Sequence, residues 1–455
     1  MKTERKRLFQ PVILTEGSIP KKILAFALPL FLGQLLQQLY NMADAWVIGN
    51  FADNNSFAAV TSGGSLTFMV IGFFSGIAMG GGIVISKYYG AGNMENTRRA
   101  IHTNFLIGLL ASVLATVIGL TLIPDILRLM NTPEEVLPEA LAYFRVYFAG
   151  VSTIIMYNIG TAIMQALGDS VHPLMYLTVS SVTNVVLDLL FVAVFHWGVT
   201  GAAAATVFSQ GLSACLCIAH LLRGPEETRL CLRELKFDGS MLKNVIAQGL
   251  PTGIQNSVIS LGNTVIQSSI NMFGAYAMSG HGAYSRLGDI IFLPIGSLSM
   301  SLPTFVSQNL GAGKKERAKE GARFGIIFGM ILAELLGLVM FFAIPSMLKF
   351  LIKEEEAIRF GVIHCRTVSL FFCLLAFSHC CAGTLRGCGK SVVPMVVMLG
   401  IWCGLRIVYV TIAVRFFPSY RTVATAYPLT WTISSILYLV SILRLDWDKA
   451  LRNVN

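Results

Sequence analysis

Charged residues are scarce in this sequence of 455 residues: Asp, Glu, Lys and Arg together make up 13% of it. Soluble globular domains contain about 25%. The sequence also lacks a long polar segment, which excludes a separate soluble catalytic domain. What it has instead is hydrophobic residues, at 55% of the chain, and a mean hydropathy of +0.68. This composition indicates an integral membrane protein.

Apolar stretches of about the 20 residues that a helix needs to cross a bilayer recur along the chain. We expect an all-α membrane protein with twelve transmembrane helices and short connections. The predicted spans are Ile23–Ile48, Phe57–Ser86, Ala100–Ile123, Ala142–Met164, Leu174–Phe195, Thr200–Leu222, Val245–Phe273, Tyr284–Ser307, Phe324–Ile344, Val362–Leu385, Val392–Val414 and Val423–Leu443.

Signals for cofactors, disulfides and resident metals are missing. The nine cysteines are odd in number and lie mostly inside predicted spans or cytoplasmic loops, so no disulfide framework is expected. His379-Cys380-Cys381 has no zinc-ligand spacing. The loop 383–391 ends in Gly-Lys-Ser but has Thr384 where a phosphate-binding loop needs its first glycine. The other histidines are predicted to be interface residues near span ends: His102, His172, His196, His220, His281 and His364.

The formal net charge of +10 raises the possibility of a nucleic-acid partner. In membrane proteins, however, cytoplasmic loops carry an excess of Lys and Arg. With the N-terminus inside, most Lys and Arg residues of this chain fall in cytoplasmic segments. We therefore predict no nucleic-acid binding, and a multi-pass membrane protein with both termini cytoplasmic.

An internal repeat divides the chain into two halves. Y-G-A-G at 89–92 returns as L-G-A-G at 310–313, and G-D-S-V-H-P at 168–173 returns as G-K-S-V-V-P at 389–394, both at an offset of 221. Six spans separate equivalent points, so both halves enter the membrane in the same direction. The predicted domains are an N-terminal six-helix lobe (1–222), a cytoplasmic linker (223–243) and a C-terminal six-helix lobe (244–455), related by a pseudo-two-fold axis along the membrane normal.

Two acidic residues in the first half stand out, because a charge at the bilayer centre costs at least about 2.5–3.5 kcal/mol. At 1.5 Å per residue, Asp44 lies about 33 Å along the first span and Asp188 about 22 Å along the fifth, which places both in the outer half. Tyr40 precedes Asp44 by four residues and Asn184 precedes Asp188 by four residues, so each pair shares a helix face. Thr206, near the start of the sixth span, lies at a similar depth.

These five side chains predict an oxygen-rich cluster for a small cation. Such a cluster can hold Na⁺, and two neighbouring carboxylates in a low dielectric can instead carry a proton. Alternatively, the two acids only fix helix packing by hydrogen bonds. Neither has a predicted basic partner in the first six spans, where the one Lys or Arg is Arg145 near the external end of the fourth. At the equivalent positions the second half has Ile266 and Tyr409, with an offset of 222 for the first span and 221 thereafter. The ion chemistry is therefore predicted to be asymmetric.

The other charged residues within spans favour structural roles. Arg286 and Asp289 are three apart on one helix and can neutralise each other. Glu334 and Arg406 can pair between helices. Polar residues within spans are candidates for lining a substrate cavity, although helix packing explains them equally well: Gln34, Gln37, Asn158, Gln255 and Asn256, together with Arg286 and Asp289.

The chain resembles bacterial multidrug and toxic compound extrusion (MATE) transporters over essentially its whole length. The resemblance rests on LYNMAD at 39–44, N-V-V-L-D at 184–188 and the paired loops L-G-D-S-V-H-P and R-G-C-G-K-S-V-V-P. It implies two six-helix lobes and a family ion site on Asp44, Asn184, Asp188 and Thr206, with Tyr40 in the same network. Acidic residues that some members carry on spans 7 and 10 are absent, which puts ion coupling in the second lobe in doubt.

The resemblance implies multidrug efflux: a secondary antiporter that exports cationic amphipathic drugs or toxic metabolites in exchange for Na⁺ or H⁺ by alternating access. We expect no catalytic residues, no cofactor other than the coupling ion, membrane lipid and small cationic molecules as partners, and a monomer. Two alternatives remain. One is a lipid-linked oligosaccharide flippase of the related superfamily, with Arg286 and Arg406 facing the cleft. The other is an intramembrane enzyme using Asp44 and Asp188 as an acid-base pair.

Overall fold

A computed structural model describes residues 11–52, 56, 59–60, 64–129 and 132–452. All regular structure in these ranges is helical, as the hydropathy of the chain predicts. The described chain forms two compact units. The N-terminal unit contains 11–13 and Leu32–Gly253, and the C-terminal unit contains Leu14–Phe31 and the described residues from Ile254 onward.

The N-terminal unit is built from the first half of the sequence. Its helices are α1 (Ile19–Phe51, of which the turns before Leu32 group with the other unit), α2 (Gly64–Gly90), α3 (Met94–Leu129), α4 (Leu137–Ala149), α5 (Val151–Ala166), α6 (Val171–Asp188) and α7 (Gly198–Arg223). A 3₁₀ turn (Leu232–Glu234) lies in the connection that follows.

The C-terminal unit repeats this organisation. Its helices are α8 (Gly239–Asn271, which groups with the N-terminal unit up to Gly253), α9 (Ala275–Gly311), α10 (Lys315–Leu351), α11 (Glu355–Val368), α12 (Phe372–Gly387), α13 (Val392–Val397), α14 (Arg406–Phe416), α15 (Tyr420–Leu443) and α16 (Trp447–Arg452). A 3₁₀ turn (Ser369–Phe371) separates α11 from α12, and π-helical turns (Met398–Leu405) join α13 to α14.

Ten helical segments in the described ranges are long and apolar enough to cross a membrane. The pair α4 and α5, bent by 46° at Gly150, makes an eleventh. The remaining predicted span, Val245–Phe273, also forms one continuous helix, α8, but its many Gln, Asn, Ser and Thr residues make it less apolar. Side chains such as Leu110, Val113 and Val117 expose about half of their surface along one face of α3, as expected of lipid-facing residues.

Glycine allows close helix packing in the N-terminal unit. A Cβ atom at Gly80 of α2 would collide with the backbone of Gly249 in α8, and one at Gly76 with the backbone of Gly253. At Gly81 the obstacle is the side chain of Asn104 in α3. The Gly80-Gly81-Gly82 cluster therefore lets neighbouring helices approach to backbone contact.

Candidate cation-coupling site

A small apolar cluster holds α1 against the end of α6 and the start of α7. Val47 and Ile48 of α1 pack with Val192 and Ala202, and all four side chains are almost completely buried. Asp44 precedes Ile48 by four residues and Asp188 precedes Val192 by four residues, a spacing that places both acids on the same faces as the cluster. The packing of these apolar residues therefore directs the two carboxyl groups toward each other.

The carboxyl groups of Asp44 and Asp188 lie within hydrogen-bonding range of one another. Asp188 is completely buried and Asn184, one turn earlier on α6, is 1% exposed. Asp44 is half-buried. Among the described residues, both carboxyl oxygens of Asp188 lack a hydrogen-bond partner. The same is true of both polar atoms of the Asn184 amide and of Oδ1 of Asp44. The site is therefore a group of buried polar atoms without protein partners.

No basic side chain of the described ranges forms an ion pair with Asp44 or Asp188. The ion pairs found among the described residues all lie elsewhere. A buried carboxylate without a counter-charge is strongly unfavourable, so it must take up a proton or bind a cation. The absence of a basic partner, predicted from the sequence, holds for the described part of the chain.

Tyrosine and glutamine side chains surround the acid pair. Tyr40 lies one turn before Asp44 on α1, beside the side chains of Gln37 and Gln210. Tyr143 of α4 is 8% exposed and lies near Tyr40 and both carboxyl groups. Sequence reasoning missed Tyr143 and Gln210. Gln210 could have been predicted from its spacing of four residues from Thr206 on α7, whereas no sequence pattern around Tyr143 indicates that it lies near the acid pair.

Thr206 lies on the neighbouring helix, but its hydroxyl group is not shown to join the site. It is half-buried on α7. Its carbonyl oxygen accepts a hydrogen bond from Ser209, whose own carbonyl accepts one from Ser180 of α6 at 2.7 Å. Among the described residues no hydrogen bond links the Thr206 hydroxyl to either acid. Its assignment as an ion ligand remains a prediction.

The backbone changes its winding immediately after Asp188. Residues Leu189–Val194 form π-helical turns that continue α6. Such turns are rare and occur mostly where a side chain has a functional role. Asp188 is the last residue of the regular helix, and Val192 within the π-helical turns belongs to the apolar cluster.

The oxygen atoms of Asp44, Asp188 and Asn184 suit a small hard cation or a proton. Na⁺ prefers carboxylate, amide and hydroxyl oxygens, and Asp44, Asp188 and Asn184 offer five oxygens, of which at least four lack hydrogen-bond partners. A proton shared between the two carboxyl groups would satisfy the same oxygens. The arrangement does not discriminate between these two ions.

The equivalent region of the C-terminal unit is apolar. Ile266, at the position of Asp44, is 1% exposed and belongs to a hydrophobic cluster with Ile270 and Val410. Tyr409, at the position of Asp188, packs against the same cluster and shares a hydrogen bond of 2.9 Å with Thr425. In the described part of this cluster no carboxylate takes the place of the acid pair.

Two ion pairs that the sequence permits are not formed. Arg286 and Asp289 are both exposed on α9, and no ion pair joins them within the described ranges. Both side chains are solvent- or lipid-exposed, and a pair on an exposed helix face gains little from forming an ion pair.

Glu334 and Arg406 are also separate. The Glu334 carboxylate accepts a hydrogen bond from the backbone N–H of Cys373. The Arg406 guanidinium donates to the Thr430 hydroxyl at 2.9 Å and lies over the ring of Tyr427 at 4.5 Å. Because Arg406 is only 4% exposed and its guanidinium is held in this way, it does not offer a free cationic group of the kind that a flippase would need.

The candidate cavity residues have varied environments. Gln37 is exposed, and Gln34 and Asn256 are half-buried. Asn158 accepts a hydrogen bond from Ser75 and donates one to the carbonyl of Ile154. Gln255 is 3% exposed, so its amide serves packing within the C-terminal unit. That these residues line a substrate cavity remains a prediction.

One buried cation was missed altogether. Arg386 directly follows the predicted span Val362–Leu385 and was therefore expected in the cytoplasmic connection after it, but it is the penultimate residue of α12 and is 8% exposed. Its guanidinium donates to Oε1 of Gln255 at 3.0 Å, and its Nε has no partner. The Gly-rich sequence around it resembles a loop, which hid the continuation of the helix.

Known proteins with similar sequences are bacterial transporters. The chain is 28% identical to the probable multidrug resistance protein YpnP of Bacillus subtilis, over 85% of this chain and 86% of that protein. It is also 28% identical to an FAD transporter of Shewanella oneidensis, over 73% and 74% of the two chains.

A solved structure has the same fold. A multidrug resistance MATE family transporter of the MOP superfamily, in an outward-facing conformation, superposes with a TM-score of 0.90 at 20% identity and covers 98% of this chain and 99% of that one. The twelve-helix fold predicted from the sequence is thereby confirmed.

The sequence model of the MatE family matches this chain twice, at residues 29–190 and again at 251–412. The two matches begin 222 residues apart, which agrees with the internal repeat found in the sequence. Because they cover most of both halves, the chain belongs to the MATE family of membrane transporters.

Proposed function

We propose that this protein is a secondary antiporter that exports cationic amphipathic compounds from a bacterial cell in exchange for Na⁺ or H⁺. The observation that carries the proposal is the acid pair: Asp44 and Asp188 meet on two helices without a basic partner in the described chain. A cation or a proton arriving from outside would relieve their repulsion and satisfy the buried oxygens.

Coupling requires that the ion and the substrate favour different conformations of the transporter. Ion binding brings α1 and the end of α6 together through the two carboxyl groups, whereas the ion-free pair is driven apart by like charge. Antiport follows if the substrate binds better to the state that the ion disfavours, because a ligand shifts a conformational equilibrium only by its difference in affinity for the two states. Substrate and ion then need no common ligand.

The experiment is efflux of a fluorescent cation from proteoliposomes under separately imposed Na⁺ and H⁺ gradients. The native protein is compared with Asp44→Asn and Asp188→Asn, which keep the shape of each side chain and remove its charge. Asp125→Asn is the matched control, since Asp125 is an exposed carboxylate of the same unit. FAD, which a relative transports, serves as the comparison substrate for an anionic compound.

We expect export of the cation in one of the two gradients, a reduction to below about a tenth of the native rate in both site variants, and native export in the control. Export at the native rate by both site variants would rule out the acid pair as the coupling site. Preferential transport of FAD would retain the coupling mechanism but replace the proposed substrate class.

A further inference from the structure

Two histidines and an aspartate meet at the opposite end of α6 from the acid pair. Asp169 immediately precedes the N-cap of α6, His172 lies in the first turn, and His220 lies in the last turn of α7. Sixteen residues separate His172 from Asp188, a distance of about 24 Å along a helix. The cluster is therefore distinct from the proposed coupling site.

The three side chains present their ligand atoms to one point. Nδ1 of His172 lies 2.6 Å from Oδ2 of Asp169, and Nε2 of His220 lies 3.9 Å from the same oxygen. One ligand atom from each residue falls within 4.8 Å of the others. The two imidazole rings are 4.6 Å apart between centroids.

Two of the three ligands, Asp169 and His220, are held in place by a second contact. Oδ1 of Asp169 accepts hydrogen bonds from the backbone N–H groups of Val171 and His172, which leaves Oδ2 facing the histidines. Nδ1 of His220 lies 3.0 Å from the Tyr176 hydroxyl, which leaves Nε2 facing Asp169. Metal-binding histidines are typically oriented in this way, by a hydrogen bond from the ring nitrogen that does not bind the metal.

The distances between the ligand atoms of Asp169, His172 and His220 fit a divalent transition-metal ion. Tetrahedral Zn²⁺, with bonds of about 2.0–2.1 Å to nitrogen and oxygen, separates its ligand atoms by about 3.4 Å. The distances of 2.6 and 3.9 Å to Oδ2 of Asp169 lie on either side of this value, and the two histidine nitrogens are within 4.8 Å of each other, so shifts of about 1 Å would seat the ion. The ion would take the place of the hydrogen between His172 and Asp169, and His172 would carry its ring proton on Nε2 instead of Nδ1.

The fold does not require this cluster. At the offset of 221 that relates the two halves, Asp169 corresponds to Lys390, His172 to Val393 and His220 to Ser441. The same turn and the same helix start therefore form in the C-terminal unit without these groups. Solvent can reach the site, because the side chains of His172 and His220 are 24% and 33% exposed while Asp169 is 6% exposed.

We propose that Asp169, His172 and His220 form a binding site for one Zn²⁺ or a similar divalent transition-metal ion, with Tyr176 as a positioning residue and a fourth coordination position open to solvent. Three protein ligands with an open position are typical of accessible zinc sites. A metal bound there would fasten the end of α7 to the loop that precedes α6.

The test is metal binding to the full-length protein in detergent, purified with a tag that contains no histidine. Zn²⁺ affinity is measured by competition with a fluorescent chelator, and Co²⁺ is the spectroscopic probe. The variants are His172→Gln, His220→Gln and Tyr176→Phe. His196→Gln is the control at an exposed histidine outside the cluster, and Asp44→Asn separates this site from the acid pair.

We expect one Zn²⁺ per chain in the native protein and in both controls. His172→Gln and His220→Gln should each weaken binding on the order of 100-fold, and Tyr176→Phe about 10-fold with unchanged stoichiometry. Bound Co²⁺ should show visible bands of nitrogen and oxygen ligation.

Three results would overturn the site: no stoichiometric binding, unchanged affinity in both histidine variants, or near-ultraviolet bands that indicate Co²⁺ bound to cysteine thiolate. Loss of binding in Asp44→Asn with retention in the histidine variants would place the metal at the acid pair instead. Size-exclusion profiles verify that each variant remains folded. Because the readout is metal affinity and not transport, its outcome is independent of the proposed antiport.

Discussion

The guanidinium of Arg386 donates a hydrogen bond to the side-chain oxygen of Gln255, 131 positions earlier in the sequence, at 3.0 Å. Both residues are buried in the C-terminal unit. The amide nitrogen of Gln255 in turn contacts the sulfur of Met398 at 2.8 Å. Gln255, in the middle of α8, thus links the end of α12 to the start of the π-helical turns around a buried positive charge, and no carboxylate forms an ion pair with that charge among the described residues.

Gln255→Leu should destabilise the protein by about 1–3 kcal/mol, because it leaves a buried charged donor without its acceptor. Thermal unfolding in detergent measures the effect. The control is Gln267→Leu in the same helix. The Gln267 side chain donates a hydrogen bond to Asn271 one turn away, and its substitution should lower the stability by less than half as much.

The double variant Gln255→Leu, Arg386→Met should recover most of the stability that Gln255→Leu loses, because it removes the hydrogen-bond donor together with the acceptor. A double variant that is less stable than either single variant would show that the hydrogen bond does not account for the effect.

Arg406→Lys should also destabilise the C-terminal unit, by about 1–2 kcal/mol. The planar guanidinium of Arg406 contacts the Tyr427 ring and donates to Thr430 through two nitrogens, and a lysine ammonium cannot reproduce both contacts. Arg415→Lys is the control, because Arg415 is exposed at the end of the same helix. Equal melting temperatures for the two variants would contradict this role of the guanidinium.

The effects of neutralising Asp44 and Asp188 should not be additive. If the two carboxyl groups bind one cation or share one proton, the first substitution already abolishes coupling, and Asp44→Asn, Asp188→Asn should transport no more slowly than either single variant. Gradient-driven efflux from proteoliposomes measures the three rates. A double variant slower by the product of the two single effects would indicate two independent roles.

Gly80→Ala should lower stability by about 1–3 kcal/mol, because the added methyl group meets the backbone of Gly249. Gly282→Ala is the matched control. Gly282 lies in the interior of α9 with no atom within 4 Å of an added Cβ, so alanine should be neutral or stabilise the helix by up to about 1 kcal/mol. Melting temperatures of the two variants in the same detergent decide the comparison.

Hydropathy and spacing along single helices predicted much of this protein. The twelve helical spans, the all-α membrane fold and the internal repeat follow from properties that each segment carries by itself, because the bilayer requires long apolar helices. The acid pair was also predictable in outline. Asp44 and Asp188 are conspicuous because a charge within a span is costly, and depth along each helix brought them to the same level.

The sequence did not predict which side chains of neighbouring helices contact each other. The burial of Arg386, the place of Tyr143 beside the acid pair and the meeting of His172 with His220 all depend on how neighbouring helices are rotated and shifted. In the N-terminal unit Gly80 lies at a close approach of two helices, and Val192 and Ala202 pack against α1. Small apolar residues of this kind occur throughout the chain without marking any one partner. The sequence by itself thus determined which segments are helices and which charges are exceptional. Only the tertiary structure decided which side chains meet, because that choice is made by packing between helices.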